Sequence, residues 1–410
     1  MKLIKAAAVF TLIFIGCAAP PAPDIANNNE ETPPPEAEYA EYSVLVTERR
    51  RSPALLEPAS GVYAGVFTDG EDISDFERET APHEVFGVNI KTGEPFPLSW
   101  LLGCVSRLKT PYIVINAGRA ARFDDNALAE LSETAEQIGQ FYAPVFAELY
   151  PDEQSAEPGE YIAFFRKAAA IFRKEAPNAA IVFSASDPAA ARAYYPGDDY
   201  VDWAGVTAVV GAGEPDYERL RALYFYFQRK KPVCVNFAVS HISAENHAYA
   251  VRSAAGGIER FYSELADKYP RVKAVNYVNF NALTEERLFE GTPLPSENFL
   301  ATDEYIIKRA YKNAVASLNK ADFEDWRALF DRRVKGLPQI EKTIISPFPA
   351  EERGGEIYLR SETLLNDVRA SGPDFLEEEG LIPLSRAAPY IRRPYEIDVK
   401  KKIIHFYNDF

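Results

Sequence analysis

Residues 179–210 read AAIVFSASDPAAARAYYPGDDYVDWAGVTAVV. Two apolar runs, Ala179–Ser184 and Trp203–Val210, flank a turn-rich segment centred on Pro196-Gly197. Runs that are apolar at nearly every position suit parallel strands covered on both faces. Working outward, the same texture recurs at Val62–Phe67, Val85–Val88, Tyr112–Asn116 and Ala143–Ala147, and again at Pro232–Phe237 and Val272–Asn279. Amphipathic patterns over Asn126–Phe141, Pro158–Glu175, Tyr217–Lys230 and Ala248–Lys268 lie between them, with Pro158 and Pro215 where a first helical turn tolerates proline. Eight strands alternating with helices over about 220 residues match the size of a (β/α)8 barrel. An open, doubly wound sheet would want a glycine-rich turn after its first strand; Gly61-Val62-Tyr63-Ala64-Gly65 lies before and inside that strand instead. The predicted fold is α/β, a (β/α)8 TIM barrel over 56–318 with a small C-terminal α+β module over 319–410.

The chain has 410 residues, 61 acidic against 45 basic, for a formal charge of −16. That balance argues against nucleic acid and against docking on anionic lipid through basic patches. A hydrophobic share of 47% and a charged share of 26% are those of a globular protein. Three cysteines, at 17, 104 and 234, make no disulfide scaffold; Cys104 and Cys234 sit in apolar surroundings and read as buried. No CxxC or HExxH spacing is present, and the reading calls for no metal and no cofactor.

Residues 1–17 read MKLIKAAAVFTLIFIGC: Lys2 and Lys5, then an apolar run from Ala6 to Ile15. Ten apolar residues span about 15 Å as a helix, half the hydrocarbon core of a bilayer, so the segment reads as an export signal. Its close, Phe14-Ile15-Gly16-Cys17, resembles the bacterial lipobox. The resemblance implies cleavage before Cys17, lipidation of that residue, and an exported protein held to a membrane through its N-terminal lipid. Removing the first sixteen residues leaves 43 basic against 61 acidic, or −18. Residues 18–55, rich in Pro, Ala, Asn and Glu over their first half, are expected to be a disordered tether.

In a barrel of this kind, chemistry sits at the C-terminal ends of the strands. The polar residues expected there are Asn116 after strand three, Glu148 after strand four, Asp187 after strand five, Gly211–Glu214 after strand six, Ser240 and His241 after strand seven, and Asn279 and Asn281 after strand eight. Carboxylates and aromatics at a barrel mouth suit sugar chemistry: one carboxyl protonates the leaving oxygen, a second attacks or activates water, and ring faces stack on pyranoses.

Residues 141–210 resemble glycoside hydrolase family 26, a β-mannanase-type family of retaining (β/α)8 hydrolases. The likeness runs from Ala143-Pro144-Val145-Phe146-Ala147-Glu148 to Tyr194-Tyr195-Pro196-Gly197-Asp198-Asp199-Tyr200-Val201-Asp202-Trp203, and further likeness extends it over about 60–315. It implies hydrolysis of β-mannosidic or related bonds, with Glu148 as acid/base. The nucleophile implied at the end of strand seven is missing: Asn236-Phe237 stands there, and residues 230–244 contain no Asp or Glu. Either the barrel binds a polysaccharide or envelope glycan without cleaving it, or a displaced carboxylate such as Glu245, Asp187 or Glu214 substitutes, or strand seven is misaligned. Residues expected to bind sugar are Asn116, Tyr194, Tyr195, Trp203, His241, Tyr277 and Asn279, although Trp203 heads a strand and reads rather as core. Phe237 and Tyr150 are the side chains that would plug a purely structural barrel.

In the C-terminal segment a helix is expected over Asn319–Lys335, then a strand at Glu356–Arg360, a strand running into a short helix at Leu381–Ala388, and a strand pair at Tyr395–Val399 and Lys402–Tyr407. Leu381–Tyr407 resembles the copper amine oxidase N-terminal-like, or stalk, module, which carries no copper site.

Overall fold

The computed structural model describes residues 39–408, except 52, 69–71, 117–122, 142, 152–155, 186, 212–216, 244–246, 282–287, 290–291, 294–296, 322–339 and 372–379. The signal segment with Cys17 and most of the helix expected at Asn319–Lys335 lie outside the described residues.

Eight parallel strands close into a barrel: β2 (Tyr63–Thr68), β3 (Val85–Lys91), β4 (Thr110–Asn116), β5 (Val145–Leu149), β6 (Ala179–Ala185), β7 (Trp203–Val210), β8 (Val233–Val239) and β9 (Val272–Asn279). Each pairs with the next, and β9 pairs with both β8 and β2, which removes every edge. The expected (β/α)8 barrel is therefore the observed fold.

Helices α1 (Ile73–Glu79), α2 (Leu98–Ser106), α3 (Asp125–Gly139), α4 (Pro158–Glu175), α5 (Pro188–Tyr194), α6 (Glu218–Phe227), α7 (Val251–Lys268) and α8 (Tyr305–Ser317) accompany the strands. Pro158 opens α4 where its missing N–H costs nothing, and Asp124 and Asp187 cap α3 and α5 by accepting backbone N–H bonds.

Alternation along each strand sorts the side chains. Val233, Val235, Phe237 and Val239 face the helices, whereas Cys234 joins Tyr63, Phe67, Tyr112, Phe146, Val182 and Trp203 inside the barrel. Two glycines make room there: a methyl on Gly65 would overlap Asn276 Oδ1, and one on Gly205 would overlap Ser184 Oγ. Leu56 and Ala321 join the same inner cluster, and Leu55 O accepts from Trp203 Nε1 at 2.7 Å, which places Trp203 at the N-terminal end of the barrel.

The second sheet differs from expectation at its centre. Residues 39–51, read as the end of the tether, form strand β1 (Tyr39–Arg51). Further strands are β10 (Ile340–Ile345), β11 (Ala350–Arg353), β12 (Glu356–Arg360), β13 (Leu381–Pro383), β14 (Tyr395–Asp398) and β15 (Ile403–Asn408), with a short helix α9 (Leu384–Ala387) after β13. The order is β13-β12-β11-β1-β15-β14, with β10 also on β1. The physical reason lies in Tyr42, Val44 and Val46, which alternate into a core shared with Ile344, Leu359, Ile404 and Phe406, while Leu45 joins the barrel's helix-side core. The Gln228 side chain locks the sheet to the barrel: Nε2 donates to Ile345 O at 2.8 Å and Oε1 accepts from Ile345 N at 2.9 Å.

Candidate functional site

Glu148 is the one Asp or Glu within the eight barrel strands. It lies inside β5, two residues deeper than the expected strand limits allow, because the strand runs Val145–Leu149 and not Ala143–Ala147. Its neighbours Ala147 and Leu149 face the helices, so its carboxylate points inward, where it is 2% exposed. Tyr112, itself fully buried, donates its hydroxyl to Glu148 Oε2 at 2.7 Å. Burial, with the Cys234 sulfur and the Glu148 carboxylate beside it, pushes the Tyr112 phenol far above its ordinary range, and the Cys234 thiol is raised by burial and by Glu148. Both therefore act as neutral groups, and Tyr112 as a fixed donor.

Strand β8 presents Asn236 to the interior, where its Oδ1 accepts from Asn276 Nδ2 at 3.0 Å; the same nitrogen lies 3.3 Å from Cys234 Sγ. Asn276 Oδ1 and Ser184 Oγ, both buried, have no hydrogen-bond partner among the described residues. The inner wall beneath the mouth is thus a polar cluster of one carboxylate, two amides, a phenol and a hydroxyl, set on a floor of Phe67, Tyr112 and Phe146 rings that pack 5.6–5.7 Å apart.

Tyr150, just past Glu148, has φ 45°, a left-handed conformation costly for a bulky residue and of the kind that gathers at functional sites. Its ring packs on Phe123 and Phe164, so it turns to the helix side and does not plug the barrel. Phe237 does not plug it either, nor does it occupy a sugar subsite: it stacks on Phe261 of α7 at 3.9 Å, outside the strand wall.

Other expected sugar-binding residues divide in the same way. Asn116 is half-buried at the end of β4, with Nδ2 donating to Ile90 O at 3.3 Å, and does line the mouth. Asn279 ends β9 and accepts from Ala301 N at 2.7 Å, which anchors the loop beyond it. Tyr277 faces outward, its ring 4.6 Å from that of Tyr311 and its hydroxyl donating to Phe299 O. Trp203 is fully buried at the opposite end, as core. Tyr194 and Tyr195 belong to the helix layer: Tyr194 donates to Ala156 O, and Tyr195 donates to Asp198 at 2.8 Å beneath the Lys230 ammonium. Asp187 is a half-buried helix cap whose carboxyl is held low by the Ala190 and Ala189 amides. Glu245 and Glu214 lie outside the described residues.

His241 is wholly buried in the loop after β8. Its N–H donates to Asn298 O and its carbonyl accepts from Ala250 N, so it joins three two-residue strands, Ile242–Ser243, Ala248–Tyr249 and Glu297–Asn298, at the C-terminal face. Neither ring nitrogen has a hydrogen-bond partner among the described residues. Burial depresses its pKa, with Asp303 and Glu304 opposing that shift.

Three mouth residues escape a reading by segment. Asn89 and Thr207 are exposed, inward positions of β3 and β7; the period-two alternation from Val85 and Trp203 would have found them. The third, Glu297, is 6% exposed, and its Oε1 stands 3.0 Å from where a methyl on Gly211 would lie. The loop after β9 folds back and sets this carboxylate over the end of β7, which no local pattern signals. Among the described residues no group of three or more His, Cys, Asp or Glu is gathered as a metal site, and no helix is long and apolar enough to cross a membrane.

No family model matches the chain, and no curated protein sequence does. Solved structures similar to it include a family 26 β-mannanase from Bacteroides ovatus, at 10% identity over 63% of this chain and 89% of that one, TM-score 0.42. A family 10 xylanase from Thermobacillus composti is 10% identical over 62% of this chain and 97% of that one, TM-score 0.47. A fungal β-1,4-galactanase is 12% identical over 62% and 100%, TM-score 0.44. The barrel itself rests on its own closed ladder of parallel strands.

Proposed function

We propose that the chain is an exported lipoprotein, held to a membrane through lipidated Cys17, whose barrel binds a β-linked glycan of the β-mannan class with hydrolysis lost or much weakened. One observation carries this reading: the barrel strands supply a single carboxylate, Glu148, and the inward polar residue of β8, the seventh barrel strand, is the amide Asn236. Cleavage by the usual route takes two carboxyl groups, about 5–5.5 Å apart for retention or 6.5–9.5 Å for inversion. An amide neither attacks an anomeric carbon nor takes a proton from water at neutral pH. Binding asks less. Hydroxyl-rich ligands pair with Asn89, Asn116 and Thr207 at the rim, and unpartnered polar atoms such as Ser184 Oγ and Asn276 Oδ1 favour an environment that satisfies them.

The second reading, an active hydrolase, is favoured by Glu297, a buried carboxylate on the same face. In it Glu148 protonates the leaving oxygen and Glu297 activates water or attacks.

Calorimetry on the full-length protein in detergent, with mannohexaose, xylohexaose and cellohexaose, tests the binding claim. The expected result is binding of at least one, weakened about tenfold by Asn89→Ala with Asn116→Ala, a loss of about 1.4 kcal/mol. No binding, or binding indifferent to both changes, overturns it.

A further inference from the structure

A second cavity lies away from the mouth, between helices α6 and α7 and the start of strand β1. It encloses about 660 Å³, inside the range of about 300–1,000 Å³ usual for ligand sites. Its wall carries the rings of Tyr217, Phe225 and Tyr269, and two guanidiniums, Arg221 from α6 and Arg260 from α7. Arg221 sits 5.4 Å from the Phe225 ring, and neither guanidinium makes a hydrogen bond or ion pair with any described residue. That distinguishes them from the third cation, Lys268, whose ammonium is held by Glu264 at 2.8 Å. Two further carboxylates, Glu41 and Glu218, also line it.

We propose that this groove is a binding site for a uronate-bearing oligosaccharide. The guanidinium fork matches a carboxylate in a bidentate geometry that an ammonium cannot reproduce. The faces of Tyr217, Phe225 and Tyr269 offer apolar area for pyranose C–H faces beside the guanidinium donors, the pairing a sugar acid requires. The lining carries as many carboxylates (Glu41, Glu218 and Glu264) as cations (Arg221, Arg260 and Lys268), so selection for an acid comes from the two unpaired guanidinium forks and not from net charge. The groove shares no residue with the barrel mouth, so this inference stands apart from the function proposed for the mouth.

The test is a calorimetric titration of the full-length protein in detergent with galacturonic acid tetramer as the acidic probe and cellotetraose as the neutral one. The acidic probe is expected to bind at least about tenfold tighter than the neutral one, and Arg221→Gln with Arg260→Gln to weaken it about tenfold or more. Both arginines are exposed, and an unchanged circular dichroism spectrum and melting point of the double variant establish that it is folded. The mouth variant Asn89→Ala with Asn116→Ala is expected to leave this binding intact. Equal affinity for the two probes, undiminished binding in the folded arginine variant, or loss of binding in the mouth variant each overturns the proposal.

Discussion

Tyr112 and Glu148 meet inside the barrel, hydroxyl to carboxylate at 2.7 Å, with both side chains shut away from bulk water. Removing the donor leaves a buried acceptor short of a bond, at a cost of about 1–3 kcal/mol. Tyr112→Phe is accordingly expected to lower stability by that amount in urea unfolding, with an unchanged m-value. A shift below about 0.5 kcal/mol would mean that the phenol contributes packing alone.

The tight inner wall gives a second expectation. At Gly205 an added methyl meets Ser184 Oγ, on the neighbouring strand. Gly205→Ala should destabilise by about 1–3 kcal/mol through overpacking, whereas Gly354→Ala, in the open turn between β11 and β12, has space but a φ of 59° and should cost less. Parallel thermal melts compare the two.

His83 supplies a pH dependence. It is buried against Phe76 and Phe86 with its Nε2 at 2.7 Å from the Tyr311 hydroxyl, and burial brings its pKa down to about 3. The unfolded chain, with an ordinary imidazole near 6.5, binds the proton that the folded chain refuses. Stability from this residue is therefore full above pH 6.5 and falls between 6.5 and about 3, by an amount on the order of 3–5 kcal/mol. His83→Phe is expected to flatten that slope by close to one proton, read from unfolding free energies between pH 4 and 7. An unchanged slope would place the titration elsewhere.

The N-terminal boundary is testable by truncation. Deleting residues 1–38 leaves β1 whole and should leave the melting temperature within about 2 °C. Deleting residues 1–46 removes Tyr42, Val44 and Val46 from the second core and should lower it by more than about 5 °C or abolish soluble folding. Equal behaviour of the two would contradict the placement of β1.

The barrel is legible in the sequence because its strands are continuously apolar, so each announces itself without reference to its partner. All eight expected runs overlap observed strands. Strand β1 is not legible in that way: its partners Ile345 and Phe406 stand some three hundred residues downstream, and it follows a proline-rich stretch whose texture masks it. The site is legible only in part, since a strand's two faces differ by a single residue. Asn236 looks into the barrel and Phe237 out of it, and an offset of two residues in β5 moves Glu148 from a mouth loop to the inner wall. Tyr194, Tyr195 and Tyr277 read as sugar platforms by composition, but tertiary packing claims them for the helix layer. Glu297 was out of reach, because only the folded loop brings it over Gly211.

Whether the barrel binds glycan without cleaving it is decided by following hydrolysis and binding together. Full-length protein, Glu148→Gln and Glu297→Gln are incubated with β-mannan, xylan and β-glucan while reducing ends and bound oligosaccharide are followed together. The expected result is bound oligosaccharide with no release of reducing ends above background in any of the three proteins. Release by the unaltered chain that either substitution abolishes would contradict it and make Glu148 and Glu297 the two carboxylates of a working hydrolase.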